Sequence, residues 1–170
     1  MAPIVVLVGA PGSGKSTVGQ AVADQLEVTF RDTDADIERT VGRSISDQFV
    51  QDGEAAFRVR EEEAVASALV EHDGVLSLGG GAVLSAATRA LLMSQQVVWL
   101  QVSASEASTR VGLAASRPLL MGNVRSRLVA LLAERAPLYT EVASLTVNTD
   151  GREPSDVVSD VVQWLNGQTS

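Results

Sequence analysis

The sequence has no cysteine, a single lysine and a single histidine. Thiolate catalysis, cysteine-ligated zinc, iron–sulfur clusters and disulfide scaffolds are therefore excluded, and any chemistry must use oxygen, nitrogen and backbone groups. No apolar run approaches the roughly 20 residues a membrane-spanning helix needs, and no basic stretch precedes the first apolar segment. Excess positive charge is also missing: 13 basic residues face 21 acidic ones, a net charge of -8, which disfavours a nucleic-acid surface. The expectation is a cytoplasmic protein of small-molecule partners, with no membrane or nucleic-acid partner. A chain of 170 residues with 45% apolar content can bury a core of its own. Repeats, linkers and low-complexity segments are absent, so one domain over 1–170 is expected.

What is present alternates between two periods. Ile4–Val8 is a short β-branched run that stops at a glycine-rich turn, and Val18, Val22 and Leu26 then recur every four residues. Val28–Arg31 reads as a second strand, followed by Asp32, Thr33 and Asp34 and a helix ending at Gly42. Ser44 and Asp47 have capping-box spacing, predicting a short helix with Ile45 and Phe49 turned inward. A longer helix spans about Glu54–Val70, with Phe57, Ala64, Val65, Ala68 and Leu69 apolar and Arg58, Glu61 and Glu62 on its polar face. The strand Val75–Leu78 runs into Gly79, Gly80 and Gly81, and a helix follows Ser85. Val97–Val102 is the next strand, and the helix capped by Ser103 should reach Val111 before Gly112 stops it. Residues 112–124 keep no period and read as a lid, followed by a helix over 125–135. Leu145–Thr149 and a final helix striped by Val157, Val158, Val161, Val162 and Leu165 complete the pattern. Five strands interleaved with helices, with no hairpin signal, predict an α/β fold: a parallel sheet covered on both faces.

Residues 9–16, GAPGSGKS, satisfy GxxxxGK[ST] between a strand and a helix, and the only lysine, Lys15, fills the motif's lysine position. Glycines turn backbone amides toward phosphates, the helix N-terminus adds a positive dipole end, and the Ser16 hydroxyl can ligate Mg²⁺. With no lysine elsewhere, the guanine-reading NKxD motif is impossible, which points to adenine. Asp32 and Asp34 alternate along a strand end. If the strand continues through them, one faces the metal and the other an acceptor hydroxyl. On spacing alone Asp34 could instead be a helix N-cap, and Arg58 could be a surface ladder with Glu54 and Glu62.

Taken in order, several segments together resemble shikimate kinase over residues 4 to about 162. They are Gly9–Ser16, Asp32-Thr33-Asp34, Arg58 with Glu61, Leu76–Gly81, Arg117-Pro118-Leu119-Leu120 and Arg135-Ala136-Pro137-Leu138-Tyr139. The resemblance implies a three-layer, nucleoside-monophosphate-kinase-like P-loop fold with sheet order 2-3-1-4-5. It implies transfer of the ATP γ-phosphoryl group to the 3-hydroxyl of shikimate, a step toward aromatic amino acids, with Mg²⁺ required; a monomer is expected because helices on both sheet faces already account for the apolar stripes. By the same analogy Asp34, Lys15 and Arg117 are catalytic, and Asp34, Arg58, Gly79, Gly80, Gly81 and Arg135 hold shikimate. ATP falls to Gly12, Ser13, Gly14, Lys15, Ser16 and Thr17, with Arg110, Arg117, Arg152 and Pro154. Ser16 ligates the metal, with Asp32 acting through water. Glu61 orients Arg58 or a water, Phe49 and Phe57 line the acceptor pocket, and the acceptor region and lid map to about 33–61 and 112–124.

Overall fold

Val5–Val8 (β1) is almost completely buried along its length, as a strand covered on both faces must be. It pairs in parallel with Val75–Ser77 (β3) on one side and Val97–Gln101 (β4) on the other, with Val6 opposite both Leu76 and Val97. Phe30–Asp32 (β2) adds to β3 and Leu145–Asn148 (β5) adds to β4, giving the order β2-β3-β1-β4-β5. The structure, a computed structural model, describes residues 2–114 and 121–169.

The helices are α1 (Lys15–Leu26), α2 (Thr33–Val41), α3 (Ile45–Asp52), α4 (Glu54–Glu71), α5 (Ala86–Leu92), α6 (Ala104–Ala114), α7 (Met121–Val142) and α8 (Pro154–Gln168). Two cores sandwich the sheet. On one face Val18 and Val22 of α1 pack with the expected α8 stripe, all five members of which are buried. On the other, Val65 and Leu69 of α4, Leu92 of α5 and Tyr139 and Val142 of α7 cover Val6, Val8 and Leu76. The strands' carboxyl ends share one edge. There, where the chain order reverses around β1, an open α/β sheet forms its ligand crevice.

Local signals set most boundaries. Gly42, at φ 78°, ends α2 in the left-handed conformation. Ser44, Ser85 and Ser103 each accept a backbone N–H three residues on, from Asp47, Thr88 and Glu106. Three expectations are corrected. Helix α6 continues through Ala114, so Gly112 does not stop it, and α7 extends from Met121 to Val142, beyond 125–135 at both ends and through Pro137. The C-terminal extension follows from burial, since Tyr139 and Val142 join the second core. The expected lid thus narrows: 112–114 and 121–124 are helical, and the remainder lies outside the described residues. In α3 the fully buried side chain is Gln48, while Ile45 and Phe49 are half-buried. Gln48 can be buried because its amide donates to the Arg43 carbonyl and its carbonyl accepts from Arg60.

Candidate active site

Gly14 turns the chain into α1 at φ 92° with no side-chain cap, which leaves the helix N-terminus open to an anion. Lys15 folds back over the loop and donates to the carbonyls of Gly9 at 2.7 Å and Ala10 at 3.1 Å. Burial lowers its pKa to about 8, against the opposing pull of Asp34 and Asp32.

The two aspartates do not diverge to opposite faces. Strand β2 ends at Asp32 and α2 begins at Thr33, so the alternation stops and both carboxylates line one cleft of about 270 Å³ with Lys15, Ser16 and Gly80. The helix cap is Asp32, whose Oδ1 accepts the Asp34 N–H at 2.8 Å, and this frees Asp34 from the capping role its spacing allowed. The other Asp32 oxygen accepts from the Ser16 hydroxyl at 3.5 Å. Asp34 Oδ1 is buried with no hydrogen-bond partner among the described residues. Burial raises the Asp34 pKa to about 6, reinforced by Asp32 and Glu61 and opposed by Lys15.

Beyond Asp34, Glu61 and the two arginines Arg58 and Arg135 gather around the glycine turn 79–81. Glu61, expected on the polar face of α4, is only 3% exposed, because it accepts from Arg58 Nη1 at 2.7 Å. Half of the surface-ladder alternative exists: Arg58 also meets Glu54 at 3.4 Å, whereas Glu62 accepts instead from Ser85. The Arg58 guanidinium lies 5.6 Å from the ring centroid of Phe49 and 5.4 Å from that of Phe57, cation–π distances that fix its plane. The triple glycine is required by close approach. A Cβ on Gly79 would lie 2.9 Å from Glu61 Oε2 and closer still to Asp34, one on Gly81 would fall on the Arg58 guanidinium, and one on Gly80 would press on Pro11 and Arg135. Arg135 Nε is buried without a partner among the described residues.

On the far side of the P-loop a second cleft of about 270 Å³ is lined by Ser13, Thr17, Arg110, Arg152 and Pro154. Arg110 is fixed by a fork of bonds, to the Gly12 carbonyl at 2.9 Å, the Thr149 carbonyl at 2.9 Å and the Thr149 hydroxyl at 3.2 Å. Thr149 itself escaped the sequence reading, since its partners are distant in the chain. Arg152 is held by Asp160 at 2.8 Å. A larger hollow of about 520 Å³ lies along β5 and α8, but apart from Arg152 it contains none of these groups. Arg117 lies outside the described residues.

Among the described residues no group of three or more His, Cys, Asp or Glu side chains could hold a metal. The Ser16 hydroxyl beside the Asp32 carboxylate suits Mg²⁺, which keeps much of its water and binds through one or two protein oxygens and substrate phosphates.

A P-loop at the crevice of a parallel sheet, facing a carboxylate and a glycine turn approached by two arginines, defines a P-loop kinase of small molecules. Comparison with known proteins narrows the class. A family model described as shikimate kinase matches residues 11–166. The shikimate kinase of Thermobifida fusca is 52% identical over 163 residues, 96% of this chain and 95% of that protein. A solved structure of shikimate kinase from Acinetobacter baumannii in complex with shikimate superposes with a TM-score of 0.90 at 34% identity, covering 99% of this chain and 94% of the other. A gluconokinase from Sinorhizobium meliloti shares the fold alone, at a TM-score of 0.58 and 20% identity over 96% of this chain and 91% of its own. The chain belongs to the shikimate kinase family.

Proposed function

We propose that this chain transfers the γ-phosphoryl group of ATP to the 3-hydroxyl of shikimate, giving shikimate 3-phosphate and ADP, and so serves aromatic amino-acid biosynthesis. The observation that carries this is Asp34 Oδ1, a buried acceptor without a donor among the described residues, set between the Lys15 cleft and the glycine turn that Arg58 and Arg135 approach. A hydroxyl there would satisfy it. The ring carboxylate would pair with Arg58 and Arg135, whose planar guanidinium groups fit it bidentately. The amides of Gly79, Gly80 and Gly81 come close to the acceptor because no side chain intervenes.

In the reaction the acceptor oxygen bonds to the γ-phosphorus as the bond to the β-phosphate oxygen breaks, and the hydroxyl proton passes to Asp34. Lys15 leaves the Gly9 and Ala10 carbonyls for the phosphates. Gly12, Ser13, Gly14, Ser16 and Thr17 cradle the phosphates, and Arg110, Arg152 and Pro154 enclose the adenine. Arg117, which lies outside the described residues, neutralises charge on the moving group. Mg²⁺, held by Ser16 directly and Asp32 through water, would supply charge neutralisation on the phosphates. Most of the rate comes from positioning and electrostatics. The chain acts as one domain over 1–170, with its acceptor region at 33–61. We place it in the cytoplasm as a monomer without nucleic-acid or membrane partners; among the described residues no helix is long and apolar enough to cross a membrane.

The test is ADP release by the purified protein with Mg²⁺ and ATP, comparing shikimate, gluconate, AMP and no acceptor. Release with shikimate alone supports the reading. Release with AMP overturns the carboxylate clamp, release with gluconate overturns the choice of shikimate as acceptor, and ATP binding without release in any arm identifies a nucleotide-binding protein that does not turn over.

A further inference from the structure

Tyr139 is the only tyrosine in the sequence and is 1% exposed. Its hydroxyl donates to the carbonyl of Gly80 at 2.6 Å, across 59 residues of chain. Its ring stacks on Trp99 of β4, with centroids 5.4 Å apart and planes 29° from parallel. Arg135 lies one helical turn earlier on the same face of α7. A Cβ on Gly80 would sit 3.4 Å from Arg135 Nη1, 3.2 Å from Pro11 Cδ and 3.3 Å from the Gly9 carbonyl oxygen. Gly80 is thus the point where the P-loop, the glycine turn and Arg135 meet, and Tyr139 grips its carbonyl. Pro137, between Arg135 and Tyr139, leaves the Ala133 carbonyl without its helical donor, so the last turns of α7 are fixed partly by what they touch.

We propose that Tyr139 is a positioning residue for acceptor binding: its hydroxyl locks the Gly80 peptide and, through α7, sets Arg135 at the distance from Asp34 that a ring carboxylate and hydroxyl require. The inference rests on the acceptor reading above. Removing the hydroxyl takes from the partly buried Gly80 carbonyl the donor that holds it while the ring and its stack remain. Helix α7 stays docked in that variant, because Arg89 of α5 pairs with Glu141 at 2.6 Å and donates to the carbonyls of Val83 and Leu84 just beyond the glycine turn.

Tyr139→Phe is expected to raise KM for shikimate on the order of tenfold, with KM for ATP moving less than about twofold. The same substitution in an Arg135→Gln background should add little, because both changes remove one unit of recognition. Val161→Ala, in the core on the opposite sheet face, serves as the destabilised control and should leave both KM values unchanged. Because the chain has one tyrosine, fluorotyrosine incorporation gives a single ¹⁹F resonance, which should shift on saturation with shikimate and hold its position with ATP alone. A folded Tyr139→Phe enzyme with unchanged shikimate KM overturns the proposal, as do equal rises in both KM values. If that variant does not fold, the ¹⁹F signal decides by itself, and a resonance indifferent to shikimate overturns the proposal. Should the wild-type protein neither bind nor phosphorylate shikimate, the acceptor reading itself has failed, which is a separate result.

Discussion

Lys15 and Asp34 face each other across the phosphate cleft, and each is held away from its ordinary protonation by the same burial that brings them together. The lysine is lowered to about 8 and the aspartate raised to about 6, while each charge partly relieves the other. Neither shift stabilises the fold. A carboxylate whose folded pKa exceeds its unfolded value of 3.8 makes stability fall as pH rises from about 4 through about 6, because the folded chain binds the proton more tightly. A lysine lowered from 10.5 is likewise charged at a cost throughout neutral pH.

Asp34→Asn should therefore abolish turnover, leave ATP binding nearly intact and raise stability. Allowing for screening at a partly open cleft, the gain at neutral pH is on the order of 1–2 kcal/mol, and it should shrink toward zero near pH 4. Denaturant unfolding of both proteins at pH 7 and pH 4, beside a turnover assay, measures all of this. A variant less stable than wild type at pH 7 would contradict the burial argument, and one with near-normal turnover would remove Asp34 from the mechanism.

The same pair predicts the pH profile. In the free enzyme kcat/KM should fall as Asp34 protonates below about 6 and as Lys15 loses its charge above about 8. Bound phosphates stabilise the ammonium, so the alkaline limb of kcat should lie at higher pH than that of kcat/KM. Profiles at saturating and at limiting ATP separate the two, and coincident alkaline limbs would mean that Lys15 does not meet the phosphates.

Glu61 acts through Arg58. Replacing it with Gln keeps the volume but weakens the 2.7 Å charge-assisted bond, and the Arg58 fork can then swing toward Glu54. KM for shikimate should rise roughly fivefold to thirtyfold, while stability should change little, because the burial that holds the Glu61 carboxyl above its ordinary pKa offsets the weakened bond to Arg58. Steady-state kinetics with each substrate varied in turn checks the selectivity, since KM for ATP should not follow.

The elements that the sequence announced are those whose cause is local. GxxxxGK[ST], the serine caps and the α8 stripe act within one turn of themselves, and they were read at the positions where they lie. The triple glycine was visible as an oddity, but its reason, three close approaches by Asp34, Glu61, Arg58 and Arg135, exists only once α2, α4 and α7 are assembled. Glu61 was legible in principle: it falls four residues after Phe57 and four before Val65, both buried, so its phase placed it inward even within a run of three glutamates. Gln48, Tyr139 and Thr149 carried no comparable signal, because the partners that make their burial tolerable lie up to 59 residues away. The opposite-facing arrangement of Asp32 and Asp34 failed for one reason: a period-two argument holds only while the strand lasts, and β2 ends at Asp32.

Gly81→Ala should abolish shikimate binding while sparing ATP. The added methyl group would occupy the place of the Arg58 guanidinium, which would have to leave its position between Glu61 and the phenylalanine rings. Gly167→Ala, where a Cβ meets nothing, is the control and should gain up to about 1 kcal/mol from helix propensity. Calorimetric titration with each ligand distinguishes a lost acceptor site from a misfolded chain, because the Gly81 variant should retain its ATP isotherm.

The nucleotide side should separate from the acceptor side in the same way. Arg110 ties the P-loop carbonyl of Gly12 to Thr149 just after β5, so the cleft proposed for adenine is braced by one guanidinium. Lysine cannot reproduce that fork, since its ammonium presents no planar set of donors. Arg110→Lys should raise KM for ATP on the order of tenfold and leave KM for shikimate within about twofold. Thr149→Val removes the hydroxyl that accepts from Arg110 at 3.2 Å and donates to the Gln101 carbonyl at 2.9 Å, but keeps the Thr149 carbonyl that accepts from Arg110 at 2.9 Å, so its effect should be smaller but in the same direction. The double variant should then fall short of the sum of the two, because valine has little left to remove once the fork is gone. Strict additivity would show that Thr149 acts on the nucleotide by a route other than Arg110.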